Sequence, residues 1–161
     1  MRTPRRLLAV AAPVALVASC SAAVPVTAAP NATDPVCAQI VLATPTRLGD
    51  GLDEIATTAQ ASRAWGTAGD PVVLRCGVAV PGPTTQRCVA VDTPHGPTVD
   101  WLVVPDEAGA TTDTGWTFTT FGRTPAVEVH VPASVAGTRS TSFLDQLGTA
   151  VSIAQQTGSC S

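Results

Sequence analysis

WTFTTFGRTPAVEVHV, residues 116–131, reads as two strands joined by a turn. Trp116 and Phe118 share one face of the first strand, Gly115 to Phe121. Gly122 to Thr124 supply the turn. In the second strand, Ala126 to Val131, Val127, Val129 and Val131 face one side and Glu128 and His130 the other. A side-chain period of two with apolar residues on one face is the signature of a sheet with a core against one side only.

Upstream, the valine-rich runs Val72 to Val80, Cys88 to Val91 and Val99 to Val104 read as three more strands, separated by the turn-forming stretches PGPTTQR and Pro94-His95-Gly96-Pro97. Asp34 as N-cap and Pro35 as first helical residue predict a short helix ending near Ala43. Leu52, Ile55, Ala56 and Ala59 recur at helical spacing and predict a second helix near 52–65. At the far end, Ser142 and Asp145 look like a capping box, and Leu144, Leu147, Val151 and Ala154 form one apolar stripe. Helices, a block of strands, then a helix give the expected fold class: α+β, one small domain over 34–161, with a largely antiparallel sheet of about five strands packed against N- and C-terminal helices.

The N-terminus carries an address. Arg2, Arg5 and Arg6 precede an apolar run from Leu7 to Ala18, and VASC closes it at residues 17–20. The pattern resembles a bacterial lipobox. Residues 1–19 are then a lipoprotein signal peptide, and Cys20 bears a diacylglycerol and a further palmitate-type chain. Such chains contribute roughly 0.8 kcal/mol per buried CH₂ and hold a protein on a bilayer. Two alternatives stay open: ordinary secretion with cleavage near Val26-Thr27-Ala28, and an uncleaved membrane helix over the uncharged Leu7 to Ala29. All three place the domain outside the cytoplasm; the lipobox reading sets it on the outer face of the cell membrane. Residues 20–33, rich in Ala, Pro, Val and Thr, read as an extended tether reaching about 40–45 Å.

All nine basic residues are arginine. Without the signal peptide, six arginines face twelve acidic residues, a net charge of −6. That balance disfavours a nucleic-acid partner. With Cys20 committed to lipid, Cys37, Cys76, Cys88 and Cys160 remain, an even number in an oxidising compartment. Two disulfides are expected. Cys76–Cys88, tying neighbouring strands, and Cys37–Cys160, tying the start of the domain to its end, are favoured among the three pairings. One difficulty attends the first: Cys76 and Cys88 fall on faces of their strands that match only across a bulge.

The segments WGTAGDPVVLRCGV (65–78), VDWLV (99–103) and WTFTTFGRTPAVEVHVPA (116–133) together resemble an actinobacterial family of exported or membrane-anchored proteins, the domain of unknown function DUF3515, over roughly residues 35–157. The resemblance implies an envelope location and an α+β domain. It brings no activity, ligand or site residue.

Chemistry is sparse. There is no GxSxG, HExxH, P-loop or GxGxxG, and nothing points to a cofactor or a metal. Glu128 and His130, two apart on one strand face, form a possible polar pair, able to orient an imidazole or, with a third group, to serve a hydrolase or metalloenzyme. Arg123, in the turn FGRTP, could hold a carboxylate or phosphate; its bland alternative is a local ion pair with Glu128 or a bond to a C-terminal carbonyl. Trp65 and Trp101 are core aromatics or the rim of a pocket. The expected function is a non-catalytic binding domain on a lipid anchor, with an envelope protein or glycan as partner. The alternatives are a carrier for an acyl or sugar ligand, with its pocket between the C-terminal helix and the sheet, and an enzyme using His130 and Glu128.

Overall fold

The computed structural model describes residues 22–94 and 96–160. The signal segment 1–19, Cys20 and His95 lie outside the described residues. The elements are α1 (Pro35–Ala43), β1 (Glu54–Ile55), β2 (Ser62–Thr67), β3 (Asp70–Val78), β4 (Cys88–Val91), β5 (Val99–Pro105), β6 (Trp116–Thr120), β7 (Arg123–Thr124), β8 (Ala126–Val131), α2 (Ala133–Ala136), a 3₁₀ segment (Thr141–Leu147), α3 (Gly148–Val151) and β9 (Gln155–Gln156). Seven strands form one antiparallel sheet in the order β1-β2-β3-β8-β6-β5-β4; β7 and β9 pair separately. The α+β class with an antiparallel sheet holds. The sheet has seven strands where about five were expected.

The two additional strands come from the stretch read as a second helix. Residues 52–65 instead contribute β1 and β2, and β2 turns into β3 through a hairpin closed by Thr67 and Asp70. Ala61, at φ 52°, and Gly66, at φ 99°, have backbone angles that a right-handed helix excludes. Pairing of Trp65 with Val72 outweighs local spacing, because it buries the indole completely.

Register divides the sheet into two faces. Val72, Leu74, Cys76, Val127, Val129, Phe118 and Trp101 point inward, under α1 and the C-terminal segments. The valine, leucine and phenylalanine side chains among them each contribute about 1.5–3 kcal/mol on burial. Helix α1 begins as its sequence dictates: Asp34 accepts from Val36 N at 2.8 Å, Pro35 follows, and Cys37 and Ile40 are buried against β3. The C-terminal stripe is buried too, but on a different backbone. Ser140, not Ser142, is the cap, accepting from Ser142 N at 3.1 Å; the chain winds as a 3₁₀ segment and becomes α-helical only from Gly148 to Val151.

The residues expected to form a tether lie instead along the sheet. Val24 N donates to Ala56 O at 2.8 Å, and Thr58 N donates to Val24 O at 3.0 Å. Ala29 and Ala32 are buried beside Val78 and Ala126. Asn31 N donates to Gly77 O at 2.9 Å where β3 bulges. Gly77 is required there: it sits at φ 89°, and any Cβ would run into the backbone of Asn31. Small side chains let this strap lie close, and its backbone bonds outweigh the freedom of an extended linker. Among the described residues, no helix is long and apolar enough to cross a membrane.

Both expected disulfide pairings are replaced. Cys37 is bonded to Cys76, joining α1 to β3 with Cα atoms 5.4 Å apart. Cys88 is bonded to Cys160, joining β4 to the C-terminal segment at 6.2 Å. The cause is strand order. Three strands, β8, β6 and β5, separate β3 from β4, so Cys76 and Cys88 stand about 19 Å apart. They also point to opposite faces, which is the difficulty their strand parity raised.

Candidate functional site

At the β4 end of the sheet the inner face is not covered by a helix. Val89 pairs with Trp101 and Val103 with Phe118, and alternation aligns these with Val91 and Trp116 on one surface. The 3₁₀ segment forms the facing wall through Ser140, Thr141, Ser142 and Leu144. Between them lies an open cleft of about 350 Å³, within the size range of small-ligand sites. Its floor is valine, leucine and aromatic carbon. Its rim holds three hydroxyls and the exposed Arg87, which forms no ion pair among the described residues.

Trp101 is fully buried beneath the cleft, and its indole Nε1 has no hydrogen-bond partner among the described residues. Leaving a buried donor unpaired costs about 1–3 kcal/mol. The other tryptophan singled out by the sequence, Trp65, donates from Nε1 to Pro45 O at 2.9 Å. It is fully buried and is no part of the cleft, so its reading as a pocket rim is corrected; its indole closes the junction between α1 and the sheet.

Arg123 is also corrected as a ligand contact. It is only 3 % exposed. Its Nη1 donates to Ala154 O at 3.1 Å and its Nη2 to Thr98 O at 3.4 Å. Burial lowers its pKa from the ordinary arginine value, and the charge of Asp100 partly opposes that shift. The guanidinium thus pins the β7 turn to the chain returning after α3, and its donors are turned inward.

The Glu128–His130 pair does not form. Glu128 Oε1 accepts from Arg75 Nε at 3.1 Å and Nη2 at 2.5 Å, across the β3–β8 register. His130 Nε2 lies 2.9 Å from Asp106 Oδ2 at a half-exposed position on the outer face. Opposite partners draw the two side chains apart, and no group of three potential metal ligands occurs among the described residues.

The sequence reading found Trp101 but missed Arg87, Val89, Val91, Val103, Trp116 and the serine–threonine wall as parts of one site. The signal was present in part: Val89 and Val91, and Trp101 and Val103, are same-parity pairs in their own strands. Only the neighbouring of β4, β5 and β6 joins them into a surface.

Comparison with known proteins identifies a family. The family model described as protein of unknown function (DUF3515) covers residues 4–159. No curated protein and no solved structure matches the chain.

Proposed function

The chain belongs to the DUF3515 family, and from that premise we propose that it is a non-catalytic binding domain, anchored through Cys20 to the outer face of the cell membrane. Its ligand is an amphiphile: an alkyl chain or ring bearing a carboxylate or phosphate. The cleft is the single observation that carries this reading. Valine, leucine and aromatic walls suit an apolar chain better than a sugar. An arginine without an ion-pair partner among the described residues, beside three hydroxyls, suits the anionic end.

The strap supports a particular arrangement on the membrane. The strap's first contact with the sheet among the described residues is at Val24, four residues after Cys20, so the anchor's reach is about 14 Å rather than that of a long tether. Val24 meets the domain beside Thr57, at the β1 side of the sheet, whereas the cleft lies at the β4 edge. Six strand spacings separate those edges, about 29 Å. The cleft is therefore held clear of the anchor, where a soluble amphiphile can enter.

Cys20→Ala should move the full chain from the membrane fraction to the soluble fraction; unchanged membrane retention would favour an uncleaved helix. Titration with dodecanoate, below its micelle concentration, should change tryptophan emission saturably. Val103→Glu, which sets an anion on the half-exposed apolar wall, should weaken binding at least tenfold, a loss of about 1.4 kcal/mol. Arg87→Gln should weaken it about threefold, as removal of an exposed charge partner does. Equal affinity in all three proteins would refute the cleft as the site.

A further inference from the structure

The two disulfides differ in access. Cys37, on α1, and Cys76, beneath it on β3, are both fully buried. Cys88 and Cys160 are half-exposed and line an open depression of about 440 Å³ on the opposite face of the sheet from the cleft. Thr84, Gln86, Leu102 and Phe121 are among its other walls. An attacking thiolate must reach a sulfur, so an outside reductant meets one bond and not the other.

We propose that Cys88–Cys160 is a thiol–disulfide exchange site, opened by a dithiol, that controls the edge strand forming one wall of the cleft. β4 is four residues long and stands at the edge of the sheet, paired with β5. Its alternation sends Val89 and Val91 into the cleft and Cys88 to the other face, where Cys160 holds it from behind. The C-terminal segment has few other ties. Thr157 N and Gly158 N donate to Gly122 O at 2.7 and 3.2 Å, and Cys160 N donates to Asp100 Oδ2 at 2.9 Å. Opening the bond leaves β4 held by its ladder to β5 and the packing of Val91 on the core, and residues 157–160 by the three backbone donors just named, so this edge should open locally at lower free energy than the centre of the sheet.

The chemistry balances. One thiolate of the dithiol attacks one sulfur of the pair, the S–S bond breaks, and a mixed disulfide forms. The displaced sulfur leaves as a thiolate and takes a proton. The second thiol of the reductant, as its thiolate, then attacks the mixed disulfide and frees the other cysteine. The protein gains two electrons and two protons, and the dithiol becomes a disulfide. The natural reductant is a protein dithiol outside the cytosol; dithiothreitol is the probe.

The test uses the full chain in detergent, without denaturant. Samples taken during reduction are alkylated with iodoacetamide and mapped by peptide mass. Cys88 and Cys160 should be labelled at least about 100-fold faster than Cys37 and Cys76, since the buried pair is reached only through larger opening of the fold. The gap should close in guanidinium. Native labelling of all four at one rate, or resistance of Cys88–Cys160 until unfolding, would overturn the proposal. Hydrogen exchange reads the second half of it. Amides of residues 88–91 should exchange at least tenfold faster after selective reduction, and equally fast in Cys88→Ser/Cys160→Ser, while those of residues 72–76 stay protected. Unchanged protection of β4 in both would refute control of the edge strand. Neither readout needs a ligand, so each stands whether or not dodecanoate binds.

Discussion

Arg123→Met should lower the stability of the domain by about 3 kcal/mol, measured as a shift in denaturant midpoint at unchanged slope. The side chain is nearly sealed from water and its two bonds go to backbone carbonyls, at Ala154 and Thr98. Methionine fills much of the volume but donates nothing. Each carbonyl left without a partner costs about 1–3 kcal/mol, and the nearby Asp100 loses a balancing charge. Arg123→Lys should fall between, because an ammonium keeps the charge but cannot span two acceptors as the planar fork does. Were Arg123 a surface ligand contact, both variants would keep wild-type stability. A midpoint shift equivalent to less than about 0.5 kcal/mol, the usual range of surface changes, would refute the structural role.

Cys37→Ala/Cys76→Ala should cost more, about 4 kcal/mol. The bond joins residues 39 apart in sequence, and closure entropy in the unfolded chain gives about 3.9 kcal/mol for a loop of that size. The two sulfurs also sit in the core cluster with Ile40, Leu74 and Val127, so their removal leaves gaps under α1. Against a typical total of about 5–15 kcal/mol, the double variant should melt well below the wild type. Opening Cys88–Cys160 in the native protein is a different measurement: it reads access to a sulfur rather than the entropy of the unfolded chain. If the double alanine variant unfolds at the wild-type midpoint, the buried bond does not brace the fold.

What the sequence made legible follows how local each signal is. β8 was readable because its valines alternate without interruption. The start of α1 was readable because Asp34 and Pro35 act within one turn. β1 and β2 were not, because four apolar residues happened to fall at helical intervals and the pairing that overrides them comes from β3. Strand order was hidden for a related reason. β8 inserts between β3 and β6, and no residue within β3 announces a partner more than forty positions away. Once that order was misjudged, the cysteine pairing had to fail, since it assumed that consecutive strands are neighbours. The burial of Arg123 has the same origin. A turn residue reads as exposed until the chain after α3 folds back over it.

The site was half legible. Trp101 stood out as an aromatic in a valine-rich strand, but its companion Trp65 belongs to another part of the core. The cleft needs three strands in order and a 3₁₀ wall. The apparent capping box at Ser142 pointed to a regular helix, which would have set that wall differently. Glu128 and His130 show the converse error. Shared strand parity brought them onto one face, yet each found a charged or polar partner on a neighbouring element.

The most direct measurement is photolabelling of the full chain with an alkyl carboxylate that carries a diazirine near its chain end, followed by peptide mapping. Adducts should fall on β4 and β5 between residues 87 and 103, on Trp116 or Phe118, and on residues 140–144. Excess dodecanoate should suppress them, and Val103→Glu should remove them. Labelling spread over the surface, or confined to the outer face around Val104 and His130, would contradict the cleft as the binding site.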